Sequence, residues 1–297
     1  MTQLRLFDCE NPLRKKLGVE FFRTVPEAPG VYRFLDYKGQ ILYVGKAKNL
    51  RKRLLSYSYL KSSQKSKKVW CLVNQVSTIT YETESTELAA VLLENHLLRT
   101  LKPTYNRLNT RPEYYSYLVL RVLKNNKKSV ELEWNLLNES QFKNFYKKGD
   151  EVFGVFKSRF RITEVCGVFC KFFYAMENIH NLESAHRILK STFRFPSTYS
   201  VPKNYWGLLK IYFSGRSPKI LEELCTFFAM NSFQVSEWLR LSLNSDLELL
   251  KNYFERVPKL QAKLRRRFMP RTDKRHFSGQ NFDDFRAMWT LRRSKAG

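Results

Sequence analysis

Acidic side chains are scarce. Asp and Glu number 27 against 53 Lys and Arg, a formal charge of +26 over 297 residues. Such a balance calls for a polyanionic partner, nucleic acid first and an acidic membrane surface second. Long hydrophobic runs are missing too. No apolar stretch reaches the ~18 residues that would cross a bilayer. Nor is there a basic amphipathic helix whose Trp/Leu face would favour a membrane surface. The opening MTQLRLFDCENPLRKK has no continuous apolar core, so no secretory signal is expected. Cysteines are few, odd in number and scattered, at Cys9, Cys71, Cys166, Cys170 and Cys225. That argues against a disulfide framework and fits a reducing compartment. Cys166 and Cys170 are spaced to share a helix face, but two thiols without a second pair make a poor metal site. The four histidines are dispersed. The expectation is a cytoplasmic protein with no membrane partner.

What is present is a packable core: 43% apolar and 15% aromatic residues, over a length that suits two domains. Residues 1–25 read as a leader without a clear period. VPEAPG then punctuates the chain, and GVYRFLD and QILYVG read as two strands joined by a turn at Tyr37-Lys38-Gly39. A helical pattern runs from Ala47 to Tyr59, with Leu50, Leu54 and Leu55 on one face. STITYET has strand composition. STELAAVLLENHLLRTL reads as a helix capped by Ser85 or Thr86 and stopped by Pro103, with Leu88, Ala89, Leu92, Leu93 and Leu97 as its apolar face. Residues 26–106 are therefore a compact β-β-α-β-α unit. YYSYLVLRV suggests one more strand in a connector over 107–144. Residues 145–258 read as mainly helical, and 259–297 as a basic C-terminal arm.

From Tyr37 to Trp70 there are ten basic residues and no acidic one. Tyr32 and Tyr43 close the two paired strands beside that charge. A tyrosine titrates near ~10, too high for a base at neutral pH, and neighbouring cations favour its phenolate. Lys46 and Arg53 are expected to grip phosphate and help a tyrosine take or relay a proton from water. The bland alternative is a pair of half-buried strand tyrosines. Glu94 interrupts an apolar run. It is either a solvated edge residue or a lone ligand for Mg²⁺, with water and phosphate oxygens completing the shell.

GVY at 30–32, YVG at 43–45 and the following KAKNLRKRLLSY resemble the GIY-YIG nuclease domain. Together with PGVYRF and LLENHLLRTLKPTYN they resemble the branch formed by the UvrC N-terminal domain and its shorter homologue, excinuclease Cho. The resemblance implies an α+β fold, a small three-stranded antiparallel sheet flanked by helices, followed here by a mainly α-helical C-terminal region. It implies catalytic tyrosines at Tyr32 and Tyr43, phosphate and transition-state charge from Lys46 and Arg53, and hydrogen bonding from Tyr57. It further implies one Mg²⁺ or Mn²⁺ ion on Glu94 and a geometry-holding Asn106. Which tyrosine is the general base stays open. The implied activity is hydrolysis of one phosphodiester bond on the 3′ side of a bulky lesion in a UvrB–DNA complex. The rivals are a structure- or sequence-specific GIY-YIG endonuclease outside excision repair and a non-catalytic DNA-binding adaptor.

The resemblance fades beyond about residue 122. IYFSGRSPKILEEL is similar to the segment that leads into UvrC's UvrB-contacting hairpin, but an apolar stretch replaces the charged hairpin itself. UvrC's cysteine cluster is absent, so no iron–sulfur cluster is expected. Damaged double-stranded DNA is the expected partner, contacted by Lys48, Arg51, Lys52, Arg265, Arg266 and Arg267. Phe169, Phe172, Phe173, Tyr174, Trp206 and Trp238 are candidates for the core first and for base stacking second. The opening QLRLF resembles a sliding-clamp docking peptide, with Gln3, Leu4, Leu6 and Phe7 as its contacts. Its alternative is a strand packed on the protein's own core.

Overall fold

The structure is a computed structural model that describes residues 11–60, 67–181, 193–231, 235–270 and 276–293. The clamp-like peptide Gln3, Leu4, Leu6 and Phe7 lies outside the described residues. The chain divides into two compact units, one built from 11–112 with 286–293 and the other from 113–285. Among the described residues no helix is long and apolar enough to cross a membrane.

The first unit contains α1 (Pro12–Thr24), β1 (Gly30–Leu35), β2 (Ile41–Ala47), α2 (Leu50–Ser58), α3 (Lys67–Gln75), β3 (Thr78–Thr83) and α4 (Glu87–Leu101). The strands form an antiparallel sheet in the order β2-β1-β3, so β2 is an edge. The turn between β1 and β2 is set by Asp36, whose carboxylate accepts from the Lys38 and Gln40 amides at 2.8 and 2.9 Å. Gly39 supplies the positive φ of 77° that this turn needs.

Helices cover both faces of the sheet, and strand alternation decides what each receives. Tyr32 and Phe34 enter one core with Leu13, Phe22, Leu50, Leu54 and Leu72. Val31 and Val44 enter the other with Ala90 and Leu98 of α4. Asn49 caps α2 by accepting from the Lys52 amide at 2.9 Å. Thr86 caps α4 by accepting from the Ala89 amide at 3.1 Å, and Lys102 ends it in the left-handed region just before Pro103. The apolar face of α4 is phased differently from the sequence reading. Ala90, Val91, Asn95 and Leu98 are buried, while Leu88 is 37% exposed. An all-round Leu-rich helix leaves its phase to whichever face the sheet accepts. Glu94, four residues from both Ala90 and Leu98, therefore shares the buried stripe.

The second unit contains β4 (Ser116–Asn125), β5 (Ser129–Leu137), α5 (Glu139–Phe145), β6 (Glu151–Phe156), α6 (Arg159–Glu177), β7 (Ser197–Pro202), α7 (Lys203–Phe213), α8 (Lys219–Met230), α9 (Glu237–Arg256) and α10 (Pro258–Phe268). The last helix, α11 (Gly279–Arg293), straddles the division between the units. Four strands form an antiparallel sheet in the order β6-β4-β5-β7. Its core holds Leu118, Leu120, Leu132 and Trp134 from the sheet and Phe169, Phe172 and Phe173 from α6.

Two findings depart from the sequence reading here. The stretch expected to be mainly helical also holds β6 and β7. β6 is a continuously buried apolar run, whose period does not separate strand from helix. The expected basic arm begins instead as α10, with Gln261, Ala262 and Leu264 buried and the Gln261 side chain bonded to the Val155 carbonyl at 2.7 Å. Phe169, Phe172 and Phe173 are core residues, Tyr174 and Trp206 are half-buried against that core, and Trp238 is 45% exposed.

Candidate active site

The site begins with strand register. Tyr32 lies opposite Gly45 and Tyr43 opposite Phe34, so the two tyrosines are diagonal neighbours on one face. Their ring centroids are 6.1 Å apart. Tyr32 is fully buried and crosses directly over Gly45. A Cβ at Gly45 would stand 2.6 Å from the Tyr32 Cζ and 2.8 Å from the Tyr43 Cε1, so only glycine lets both rings lie there. α2 brings Arg53 and Tyr57, one turn apart, onto the same spot. The Tyr32 and Tyr57 hydroxyls are 3.0 Å apart. Arg53 donates to both, from Nε to Tyr32 at 3.1 Å and from Nη2 to Tyr57 at 3.0 Å. Its guanidinium also lies 4.9 Å from the Tyr57 ring centroid.

Asn106 holds the edge of this arrangement. Its Oδ1 accepts from the Val44 amide at 2.9 Å and its Nδ2 donates to the Val44 carbonyl at 2.8 Å. The Tyr105 amide donates to the Leu42 carbonyl at 3.0 Å. The side chain thus acts as a surrogate strand on the open edge of β2, between Tyr43 and Lys46. On the α4 side, Glu94 is reached by the Lys46 backbone amide and feels both the Lys46 and Arg53 charges. Among the described residues, no three His, Cys, Asp or Glu gather into a metal-binding cluster. Glu94 is a single hard oxygen donor beside two cations, the donor chemistry of a Mg²⁺ site that keeps most of its waters.

The UvrC-like GIY-YIG domain family matches residues 28–107, the segment that carries all of these groups. Residues 28–107 are a UvrC-like GIY-YIG domain. Over 100 residues, 34% of this chain, the sequence is 45% identical to the UvrABC system protein C of Dechloromonas aromatica, covering 16% of that protein. It is 43% identical over 101 residues to the counterpart from Nitrosococcus oceani, again 16% of that protein. The matching segment thus spans about a sixth of these relatives' length. The crystal structure of the GIY-YIG N-terminal endonuclease domain of UvrC from Thermotoga maritima, bound to its catalytic divalent cation, magnesium, aligns at 32% identity and a TM-score of 0.28. It covers 33% of this chain and 100% of that one.

Within the GIY-YIG domain the electrostatics correct one expectation. Cations were expected to bring a tyrosine toward the neutral range. Burial instead pushes the Tyr32 phenol well above its ordinary value and Tyr43 up to about 12, with neighbouring tyrosines adding to the rise and Arg53 opposing it. The rings that form the site also exclude the water a phenolate needs. Arg53 is held still more firmly in its charged form: burial opposes its charge, and the Tyr32 and Tyr57 hydroxyls outweigh that effect. Burial likewise raises the Glu94 carboxyl, against the pull of Lys46 and Arg53.

The expected DNA contacts separate. Lys46, Lys48, Lys52 and Arg53 line one open cleft with Asn49 and Ser56. Arg51 does not join them: its Nε donates to the Val25 carbonyl and its Nη1 to Glu27, both at 2.7 Å. It faces the chain's own carboxylate because its place two residues past the cap Asn49 turns it toward the loop before β1. In the second unit Arg265 donates to the Ser214 carbonyl and lies 5.7 Å from the Phe277 ring centroid, so it ties down α10. Arg266 and Arg267 are exposed. Sequence reasoning missed Lys68, which lines a cavity of about 220 Å³ with Tyr43, Arg53, Tyr57 and Tyr105. Its ammonium donates to the Tyr105 carbonyl at 2.8 Å. Its membership in the basic run was the available signal.

Proposed function

We propose that this chain is a metal-dependent DNA endonuclease of nucleotide excision repair. It hydrolyses one phosphodiester bond on the 3′ side of a bulky lesion in a UvrB–DNA complex, as a compact enzyme of the Cho type. The observation that carries this reading is the joined set of Tyr32, Arg53 and Tyr57, with Glu94 and Lys46 at the same end of the sheet. Phosphodiester hydrolysis needs a polarised phosphate, a positioned water and a route for its proton. Lys46 and Arg53 supply positive charge where it builds on the phosphate oxygens. Glu94 would hold one Mg²⁺ or Mn²⁺, whose chemistry when bound is to stabilise the leaving oxygen. At neutral pH both catalytic tyrosines hold their protons, so the role that suits them is relay. A hydroxyl takes the water's proton as it passes its own on to a phosphate oxygen of the substrate. Arg53, charged and donating to both Tyr32 and Tyr57, accepts no proton and fixes the two hydroxyls in place. Asn106 positions β2, and with it Tyr43 and Lys46.

The deciding experiment is incision of an end-labelled duplex carrying one bulky adduct, in Mg²⁺, with and without UvrA and UvrB. Wild type is run beside Glu94→Ala. The expected result is one cut 3′ of the adduct, dependent on UvrB and reduced by at least about a thousandfold in the variant. Cutting of undamaged or branched DNA without UvrB would replace the repair reading with a structure-specific endonuclease. Normal cutting by Glu94→Ala would remove the metal assignment, and no cutting of any substrate would leave a DNA-binding adaptor.

A further inference from the structure

At one end of the second unit's sheet, lysines from three separate segments come together. The pairing of β4 with β6 ends at Leu120 opposite Glu151. β4 and β5 run on beyond it as a hairpin, with Lys124 opposite Glu131 and Asn125 opposite Val130. Every residue from Val122 to Lys128 is exposed. Successive strand residues point to opposite faces, so the β4 arm is bare on both sides here, while the β5 arm stays paired with β7 and buries Val130. Val122 and Leu123 are 41% and 47% exposed. The tip presents Lys124, Lys127 and Lys128 with Asn125 and Asn126. From the end of β7, the Lys203 amide donates to the Lys128 carbonyl at 2.9 Å and its ammonium bonds the Asn125 side chain. The loop between α5 and β6 adds exposed Tyr146, Lys147 and Lys148. Arg121 pins that loop beside the hairpin by donating to the Phe145 carbonyl at 3.0 Å and to Asp150 at 2.9 Å.

The nearby acids do not neutralise the cluster. Glu133 and Asp150 are engaged by Arg121, and Glu151 by Lys210 at 3.3 Å. Glu131 meets Lys124 at 3.5 Å, with both side chains open to water, where such a pair is weak. Protection of a free sheet edge accounts for one lysine on β4. It does not account for Lys127 and Lys128 in the turn, Lys147 and Lys148 in another loop, or Lys203 at a helix start.

We infer that this sheet end is a second nucleic-acid contact, a binding site for the sugar–phosphate backbone of a DNA duplex. Its cations, Arg121 apart, are lysines, point charges that hold phosphates without the bidentate fork that reads guanine. Asn125 and Asn126 add hydrogen-bonding groups, and Leu123 and Tyr146 offer apolar surface to sugars. A narrow hairpin carries too little apolar area to sit in a lipid surface. The inference rests on the reading that this chain acts on DNA, but not on its chemistry.

The test uses the full chain and a fluorescent duplex, with binding followed by anisotropy in EDTA across a salt series. Lys124→Ala/Lys127→Ala/Lys128→Ala should weaken binding about tenfold or more near ~0.1 M salt. It should also reduce the slope of log K against log salt by about 2 to 3, roughly 0.9 for each phosphate no longer neutralised. Lys147→Ala/Lys148→Ala should shift both in the same direction by less. Lys219→Ala/Lys251→Ala/Lys259→Ala removes equal charge from the helices and should change neither. Equal losses in the tip and helix variants would overturn the inference, as would wild-type affinity in the tip variant. Capture of wild type by phosphatidylserine vesicles with no duplex binding would overturn it too. A protein that grips the duplex through this tip but never cuts would sink the endonuclease reading and leave this site standing.

Discussion

Asn106 shows how much geometry one amide side chain can hold. β2 is an edge strand, and Val44 lies between Tyr43 and Lys46 with its amide and carbonyl both bonded to this side chain. Asn106→Ala removes both bonds at once and loosens the strand that carries two site residues. The expected cost is roughly 1–3 kcal/mol of unfolding free energy, read by urea titration. Cleavage should fall at least about tenfold in kcat with KM little changed, because positioning is lost while phosphate-binding charge stays. A kcat at the wild-type level would show that β2 holds its place without the clamp. At the same scale, Tyr32 and Tyr43 explain why placing cations beside a phenol is not enough to acidify it. The rings that bring Arg53 close also remove water, and desolvation outweighs the added charge.

At the scale of elements, helix faces are set by what they meet. α4 is Leu-rich around most of its circumference, and Val31 and Val44 choose the stripe that includes Glu94. α11 begins under a different constraint. Asp283 is buried, accepts from the Tyr115 hydroxyl at 3.0 Å and forms an ion pair with Lys157. Removing one partner of a buried pair leaves the other without compensation. Asp283→Ala should cost about 3 kcal/mol, seen as a lower denaturation midpoint, and should expose the start of α11 to proteolysis. Lys157 keeps a quarter of its side chain in water, which places the expected cost at the low end of the range for buried pairs. Stability within about 0.5 kcal/mol of wild type would mean that the other contacts of the helix start, Phe277 and the Ser278 cap among them, hold it without the ion pair.

Across the whole molecule, the buried thiols and phenols set an alkaline limit. Burial raises Cys166, Cys170 and Tyr212 well above their ordinary values. In the unfolded chain the thiols ionise near ~8.5 and the phenol near ~10. Their contribution is therefore complete below pH ~8.5 and declines as pH rises, because only the unfolded state releases these protons. The loss should grow steadily as pH climbs past the unfolded thiols' range, since the folded state keeps these protons longer. Thermal denaturation between pH ~8 and ~10.5 should show the midpoint falling in wild type and falling less in Cys166→Ala/Cys170→Ala. Equal slopes would assign the alkaline loss to other groups. The charge of +26 acts in the same whole-molecule sense, favouring any polyanion and making every affinity depend on salt.

The amino-acid order by itself determined the two tyrosine strands, the turn at Tyr37 to Gly39, the capped helix that ends before Pro103 and the residue types that the proposed chemistry draws on. Each depends on neighbours only a few positions away, where alternation, caps and turn residues act directly. Tertiary structure decided what distance along the chain conceals. It set the phase of α4, the pairing of Asn106 with Val44, the diversion of Arg51 and Arg265 into internal bonds, and the rise in the tyrosines' proton affinity. It also assembled the second sheet, whose β6 is too uniformly apolar and β7 too polar for period alone to identify. The lysines at that sheet's end lie up to about eighty positions apart in the chain and become one surface only through strand pairing. Burial, register and charge compensation are properties of packed neighbours, and no local window of sequence contains them.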